Sequence, residues 1–359
     1  MKKYVAVLLI LISGLFLSAC QRGPALYVLN WSEYMSDDLI AQFEDEFGVR
    51  VVLETADTNE IMYTKIKAKT TKFDVAIPSD YMVHKLYQEG LLVEFDRELL
   101  PNYQSSLFDD QLETLRADYF EGNIAVAAPY FWGSLGIMYN TSKVGLQDLV
   151  ESHGWDVFFD AELTQGYKVG MYNSSRDAIA AAELYLGYDL NTTDDAKLTE
   201  VQNLLKDQSY HTWGTDNLKT MVSEGNLDIA LIYSGDFFDI LYATMEDNID
   251  ITYDMFVPDI NNVWFDAMVI PTTSQNQELA HQFINFMLDP DNAYQNATEI
   301  GYCPALKSAY QAMVADPDYT DIIADYPYYP GTISQGYVYR DLGPTIYQRF
   351  EIILVNAKG

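Results

Sequence analysis

Ala25-Leu26-Tyr27-Val28-Leu29-Asn30-Trp31-Ser32-Glu33-Tyr34 reads as an apolar strand that opens into a short polar and aromatic loop. Ser36 then caps a helix whose Leu39, Ile40, Phe43 and Phe47 share one face, and Gly48 stops it. Val49 to Thr55 reads as the next strand, and Asn59 as the cap of a helix carrying Ile61, Met62 and Ile66. Phe73 to Ile77 is a short buried strand ended by Pro78-Ser79-Asp80-Tyr81, and a third helix runs to Gly90. This strand and helix alternation predicts a mostly parallel sheet covered by helices. In such sheets ligands sit beyond the C-terminal ends of the strands, where Trp31–Tyr34 and Ser79–Tyr81 fall.

The pattern restarts further on. Tyr167 to Tyr172 predicts a strand, followed by Asn173-Ser174-Ser175-Arg176-Asp177 and an Ala-rich helix to Gly187. Leu227 to Tyr233 is another strand, running into Ser234-Gly235-Asp236 and an apolar helix. Val263 to Ile270 is a further strand and carries Trp264 and Asp266. About 340 residues remain after the N-terminal segment described below, a size at which domains usually split in two. With no low-complexity tether between the halves, the chain should cross between lobes more than once. The first crossing is expected at Ala128-Pro129-Tyr130-Phe131-Trp132-Gly133.

Lys2 and Lys3, the apolar run Tyr4 to Ile12 and the ending Leu17-Ser18-Ala19-Cys20 make a secretory signal segment. Its apolar core is shorter than the roughly 20 residues a spanning helix needs. The ending resembles a bacterial lipobox, which implies cleavage after residue 19, lipidation of Cys20 and a tether over residues 20–25. Acyl chains anchor by burying methylenes, at about 0.8 kcal/mol each. Cys303 is then left without a partner, so a disulfide-stapled fold is excluded. The net charge of −32 excludes nucleic acid as a partner and attracts cations. His84, His153, His211 and His281 are scattered without metal-ligand spacing, and no cofactor motif is present.

In this order, Asn30-Trp31-Ser32-Glu33-Tyr34, Ile77-Pro78-Ser79-Asp80-Tyr81, Pro129-Tyr130-Phe131-Trp132-Gly133, Leu231-Ile232-Tyr233-Ser234-Gly235, Trp264-Phe265-Asp266 and Ile300-Gly301-Tyr302 resemble segments of the polyamine-binding subunits of ABC transporters. The resemblance runs from about residue 26 to the C-terminus. It implies a two-lobed α/β fold of the periplasmic-binding-protein type (type II), with a ligand cleft between the lobes and no enzymatic activity. The lobes are expected to comprise residues 26–132 with 265–302, and 133–264 with 303–359. The resemblance also implies a monomer outside the cell membrane, anchored at Cys20, that hands spermidine or putrescine to the membrane permease subunits of an importer.

Carried over by position, Trp31, Ser32, Glu33, Tyr34 and Tyr81 line the cleft from one lobe, and Asp177 meets an amine from the other. Tyr233 and Trp264 sandwich the methylenes, Asp266 binds an ammonium and Tyr302 closes the wall. Two departures stand out. Ser174 replaces an acid of the spermidine-binding pattern and Tyr233 replaces its tryptophan, while Asp236 matches an acid of some putrescine-binding members. These changes leave the choice between spermidine and putrescine open, with Ser174 and Asp236 deciding length or register.

The chemistry suits such a ligand. A buried ammonium without a partner costs several kcal/mol, so each one needs a carboxylate or several dipoles. Charge-assisted hydrogen bonds of about 1.5–3 kcal/mol and aromatic contacts of about 0.5–2 kcal/mol make an affinity near −8 kcal/mol, about micromolar, reachable. The duller readings are helix capping for Asp177 and Asp236, and plain core packing for Trp264. Rival functions are sugar binding on the same fold, a polyamine sensor, and a glycosidase using Glu33 and Asp266. An acid-rich site with little Asn, Gln or Arg favours the cation.

Overall fold

The computed structural model describes residues 23–120 and 123–359. The predicted signal segment and Cys20 lie outside these residues.

The first strand, β1 (Ala25–Asn30), is the centre of a parallel trio. β2 (Arg50–Thr55) pairs with it on one side and β3 (Val75–Ala76) on the other. Leu26, Val28 and Leu29 are buried, as expected for a strand covered on both faces. The helix Asp37–Phe47 follows the loop, and the Ser36 hydroxyl accepts the Leu39 N–H at 3.1 Å. It ends at Gly48, which takes φ 64°, a left-handed conformation that costs glycine little. The next helix, Asn59–Ala68, departs from expectation, because Thr58 is its cap and accepts the Ile61 N–H. Asn59 is thereby free for another task. Its side chain accepts the Ser79 N–H at 3.0 Å and donates to the Ser79 hydroxyl at 3.0 Å, pinning the loop after β3.

Beyond this trio the sheet ceases to be parallel. The remaining strands are β4 (Ala127–Asn140), β5 (Val169–Tyr172), β6 (Thr212–Gly214), β7 (Ile229–Tyr233), β8 (Tyr253–Phe256), β9 (Ile260–Val269), β10 (Cys303–Pro304) and β11 (Gln335–Tyr337). The main path runs β2-β1-β3-β9-β4-β7-β5-β6. β9 is antiparallel to both β3 and β4, and β4 is antiparallel to β7, whereas β5 is parallel to β6 and β7. The expectation of a mostly parallel sheet therefore holds for the two outer groups and fails in the middle. Local periodicity reveals that a segment is a strand but carries no signal of its direction.

β4 is the long central element. Its first half, Ala127–Ser134, pairs with β9, and its second half, Leu135–Asn140, pairs with β7 and β8. All of its residues are buried. The segment expected to be a crossing, Ala128–Gly133, is this strand, and its register shifts between Pro129 and Trp132. Proline has no N–H for the ladder, so an irregularity is the form in which a buried strand tolerates it. After β9 the chain returns through the helices Gln277–Met287 and Pro290–Ile300. β10 then pairs with Trp132 and Phe131, and β11 with the start of β9. The last helix, Gly343–Lys358, packs on the helices Ser175–Leu186 and Asp195–Lys206.

Candidate functional site

The ends of β1, β3, β5 and β7 and the middle of β9 converge on one band of aromatic rings. The loop after β1 turns through Ser32 and Glu33, with Glu33 at φ 51°. Trp31 is half-buried, and its indole N–H donates to the Ile77 carbonyl at 2.9 Å, which ties the ends of β1 and β3 together. Tyr34 turns inward and meets Phe131 and Tyr302 edge-on at 5.3 Å and 4.9 Å. From there the rings continue without a gap: Tyr302 to Trp264 at 5.6 Å, Trp264 to Tyr233 at 5.7 Å, and Tyr233 to Tyr172 at 5.2 Å. Two glycines make the band possible. A Cβ on Gly235 would lie 2.2 Å from the Tyr302 ring, and one on Gly133 would lie 2.5 Å from the Trp264 ring.

Three carboxylates flank this band, Asp177, Asp236 and Asp266, with 3%, 5% and 5% of their surface exposed. Ionised carboxylates are rarely so buried unless matched, so their surroundings decide what they can bind. Asp177 accepts the Tyr233 hydroxyl at 2.8 Å on one oxygen and the Tyr339 hydroxyl at 2.9 Å on the other. Helix capping falls to Ser174, whose hydroxyl accepts the Asp177 N–H at 3.3 Å. Asp236 lies in the first turn of the helix Ser234–Glu246 and accepts the Tyr302 hydroxyl at 2.9 Å. Burial pushes its carboxyl up to about 7, although Lys219, 3.6 Å away, pulls it down.

Asp266 sits on β9 opposite Ser79, with its neighbour Ala267 donating to the Pro78 carbonyl. Burial pushes this carboxyl up to about 6, against the pull of Ser79 and Tyr34 beside it. Neither Asp266 Oδ1 nor the Tyr34 hydroxyl completes a hydrogen bond among the described residues. A wholly buried acid, Asp80, follows Ser79 as the first residue of the helix Asp80–Gln88. Burial raises it well above the carboxylate range, even though it accepts the Tyr81 N–H at 2.6 Å.

The structure thus brings Tyr34, Tyr233, Trp264, Tyr302, Asp177, Asp236 and Asp266 together. It leaves others at the margin. Ser32 and Glu33 are exposed. Glu33 lines an open groove of about 600 Å³ together with Trp31, Tyr34, Asp239 and Glu299. Tyr81 gives its hydroxyl to Glu60 at 3.0 Å, and its ring stands 6.3 Å from Tyr339. Ser174 is a half-buried helix cap. Four side chains of the site are not among the site residues expected from the sequence: Tyr339 on Asp177, Lys219 beside Asp236, Tyr172, and Tyr130, whose hydroxyl donates to the Tyr34 carbonyl at 2.9 Å. Each serves a group on a different element of the chain.

Among the described residues no cluster of His, Cys, Asp and Glu is arranged to hold a metal ion. No helix among them is long and apolar enough to cross a membrane. Cys303 is buried and has no disulfide partner among the described residues. The geometry offers buried acids and aromatic faces, groups that suit a cationic ligand.

Comparison with known proteins points the same way. A family model described as bacterial extracellular solute-binding protein matches residues 38–327. The putrescine-binding periplasmic protein SpuD of Pseudomonas aeruginosa is 31% identical over 277 residues, covering 75% of each chain. The spermidine/putrescine-binding periplasmic protein of Escherichia coli is 30% identical over 347 residues, covering 94% of this chain and 93% of that one. The solved structure of the spermidine/putrescine ABC transporter substrate-binding protein PotD of Streptococcus pneumoniae superposes with a TM-score of 0.73 at 31% identity, covering 94% of this chain and 99% of that one. The architecture is accordingly the two-lobed one of such binding proteins. With most of its length matched by the family model and near-complete coverage by relatives of this identity, the chain belongs to the bacterial extracellular solute-binding protein family.

Proposed function

We propose that this protein is an extracytoplasmic, lipid-anchored receptor that captures a polyamine between its two lobes and delivers it to an ABC importer. The observation that carries the reading is the aromatic band flanked by three buried carboxylates, Asp177, Asp236 and Asp266. A polyamine is a string of ammonium groups joined by methylenes. The carboxylates match the charges, and the ring faces cover the methylenes and attract the ammoniums. Asp266 and Asp236 each keep an oxygen unpartnered, and Asp266, with no salt bridge among the described residues while Asp236 lies 3.6 Å from Lys219, is the strongest anchor for an ammonium. Trp31, Ser32, Glu33 and Tyr81 act at the rim, where Glu33 faces the open groove. Ser174 acts through the helix that presents Asp177.

The lobes are taken as residues 26–132 with 265–302, and 133–264 with 303–359. The change of partners along β4 between Ser134 and Leu135 supports a crossing there. Closure is favoured because both sides contribute contacts available only together. The relatives named above support the ligand class and the transporter partner. The Leu17-Ser18-Ala19-Cys20 ending supports anchoring at Cys20 and action outside the membrane.

Calorimetric titration of the mature protein with putrescine, spermidine, spermine and maltose tests the function. Micromolar binding of at least one polyamine, with no heat from maltose, is the expected result. Silence with every polyamine, or a response to maltose alone, overturns it.

A further inference from the structure

The segment Val338-Tyr339-Arg340-Asp341, just after β11, is bonded in two directions. One set of bonds fixes it to the elements that follow β5. Tyr339 gives its hydroxyl to Asp177 at 2.9 Å. Asn191 brackets the backbone, donating to the Val338 carbonyl at 2.9 Å and accepting the Arg340 N–H at 2.7 Å. Arg176, next to Asp177 in the helix Ser175–Leu186, stacks its guanidinium 4.3 Å from the Tyr339 ring and donates to the same Asn191 oxygen at 2.7 Å. The segment is thus a strap held firmly on the β5/β7 side.

The other bonds reach the helix Asp80–Gln88, which follows β3. The Lys85 ammonium donates to both oxygens of Asp341, at 3.2 Å and 3.1 Å. It also lies 5.2 Å from the Tyr63 ring and 5.8 Å from the Tyr347 ring. Asp341 is oriented by the Gly343 N–H, which it accepts at 3.1 Å. With the lobes taken as above, this ion pair joins one lobe to the other. Its side chains are 13% and 20% exposed, whereas the other ion pair between the two sets of residues, Lys307 with Asp110, has an acid that is 94% exposed. Water screens an exposed pair to little effect, and a shielded, bidentate one keeps more of its attraction.

Resting on the polyamine reading above, we infer that Lys85 and Asp341 form a latch between the lobes, tied by the strap to the ligand acid Asp177. Both are positioning residues. A contact made only in the closed arrangement raises the population of that arrangement, and so raises affinity and slows release. Charge alone makes the opposite prediction for Lys85. A cation beside the site of a cationic ligand repels it, so its removal would tighten binding.

The test is calorimetry and stopped-flow dissociation with putrescine and spermidine on the mature protein, Lys85→Met, Asp341→Asn, their double variant, Lys85→Asp, and the exchange of Lys85→Asp with Asp341→Lys. Each neutral single variant should speed release and weaken both polyamines by about three- to tenfold, with their ranking unchanged. The double variant should be no weaker than the weaker single, and the exchange should recover most of what Lys85→Asp loses. A Lys85→Met protein that binds as tightly as wild type or more tightly overturns the latch, as do losses that multiply in the double variant or an exchange that recovers nothing. Should Lys85→Met fail to fold in a thermal melt, Asp341→Asn and the exchange decide by the same outcomes. A wild type that binds neither polyamine overturns the functional reading instead. Small-angle scattering then reads the latch without ligand: Lys85→Met should be more extended than wild type, and identical profiles overturn it.

Discussion

Asp266 and Asp177 are equally buried beside tyrosines, yet Asp266 keeps Oδ1 unpartnered while both oxygens of Asp177 are held by phenols. The β1/β3 side of the band presents an acid with spare bonding capacity. On the β5/β7 side, Asp177 is an acid whose orientation is already set by both phenols. Buried polar groups left unmatched are costly, and a folded protein keeps them where a ligand completes them. The contrast assigns different work to the two sides: Asp266 supplies attraction, and the Asp177 side supplies geometry.

The largest expected effect bears on that contrast directly. Asp266→Asn should weaken polyamine binding by at least tenfold, on the order of the 1.5–3 kcal/mol of a charge-assisted hydrogen bond. Calorimetry showing unchanged affinity would remove Asp266 from the site. Gly235→Ala tests the band between the two sides. The added Cβ meets the Tyr302 ring at 2.2 Å. Overpacking of this kind costs about 1–3 kcal/mol, so thermal denaturation should show a clear loss, with Tyr302 displaced and binding weakened as well. Tyr339→Phe is milder. It removes one phenol from Asp177 at a cost of about 1 kcal/mol, and affinity should fall severalfold while the fold is kept. If it matches Asp266→Asn in effect, the proposed division of labour between the sides is wrong.

The smallest effect is in pH. Burial raises Asp266 from an ordinary 3.8 to about 6 and Asp236 to about 7. A carboxyl whose folded value is raised holds its proton more tightly in the folded protein. The penalty for burying its charge is absent below the ordinary value and fully present above the raised one. The protein without ligand should therefore melt higher near pH 5 than near pH 8. Binding of a cation needs the ionised form, so affinity should fall as pH drops through about 6. Melting temperature and affinity moving in the same direction would contradict the assignment of Asp266 as an ammonium anchor.

Much of the local structure was legible in the chain. Ser36 and Gly48 bound their helix because a hydroxyl cap and a left-handed glycine act on neighbours a few residues away. The Asn59 cap failed for the same kind of reason in reverse. Thr58, one residue earlier, took the capping bond, and Asn59 was drawn to Ser79 across the loop. Among the predicted site residues, those on strand ends and on β9 converge, while Ser32, Glu33 and Ser174 do not enter the band. Ser174 shows the limit of reading by position: it caps a helix, and the side chain that faces the rings is that of Asp177.

The amino-acid sequence alone determined the alternation of elements, the aromatic and acidic residue types at the strand ends and the excess of negative charge, because each of these resides in composition or in neighbours along the chain. Tertiary structure decided which acids are matched and which are not. Tyr339 reaches Asp177 across 162 positions, Tyr302 reaches Asp236 across 66, and Lys219 comes to Asp236 from a different helix. Whether a buried carboxylate is an open anchor or a filled one depends on such distant partners, since burial in a medium of low dielectric turns one added hydroxyl or ammonium into the dominant local interaction.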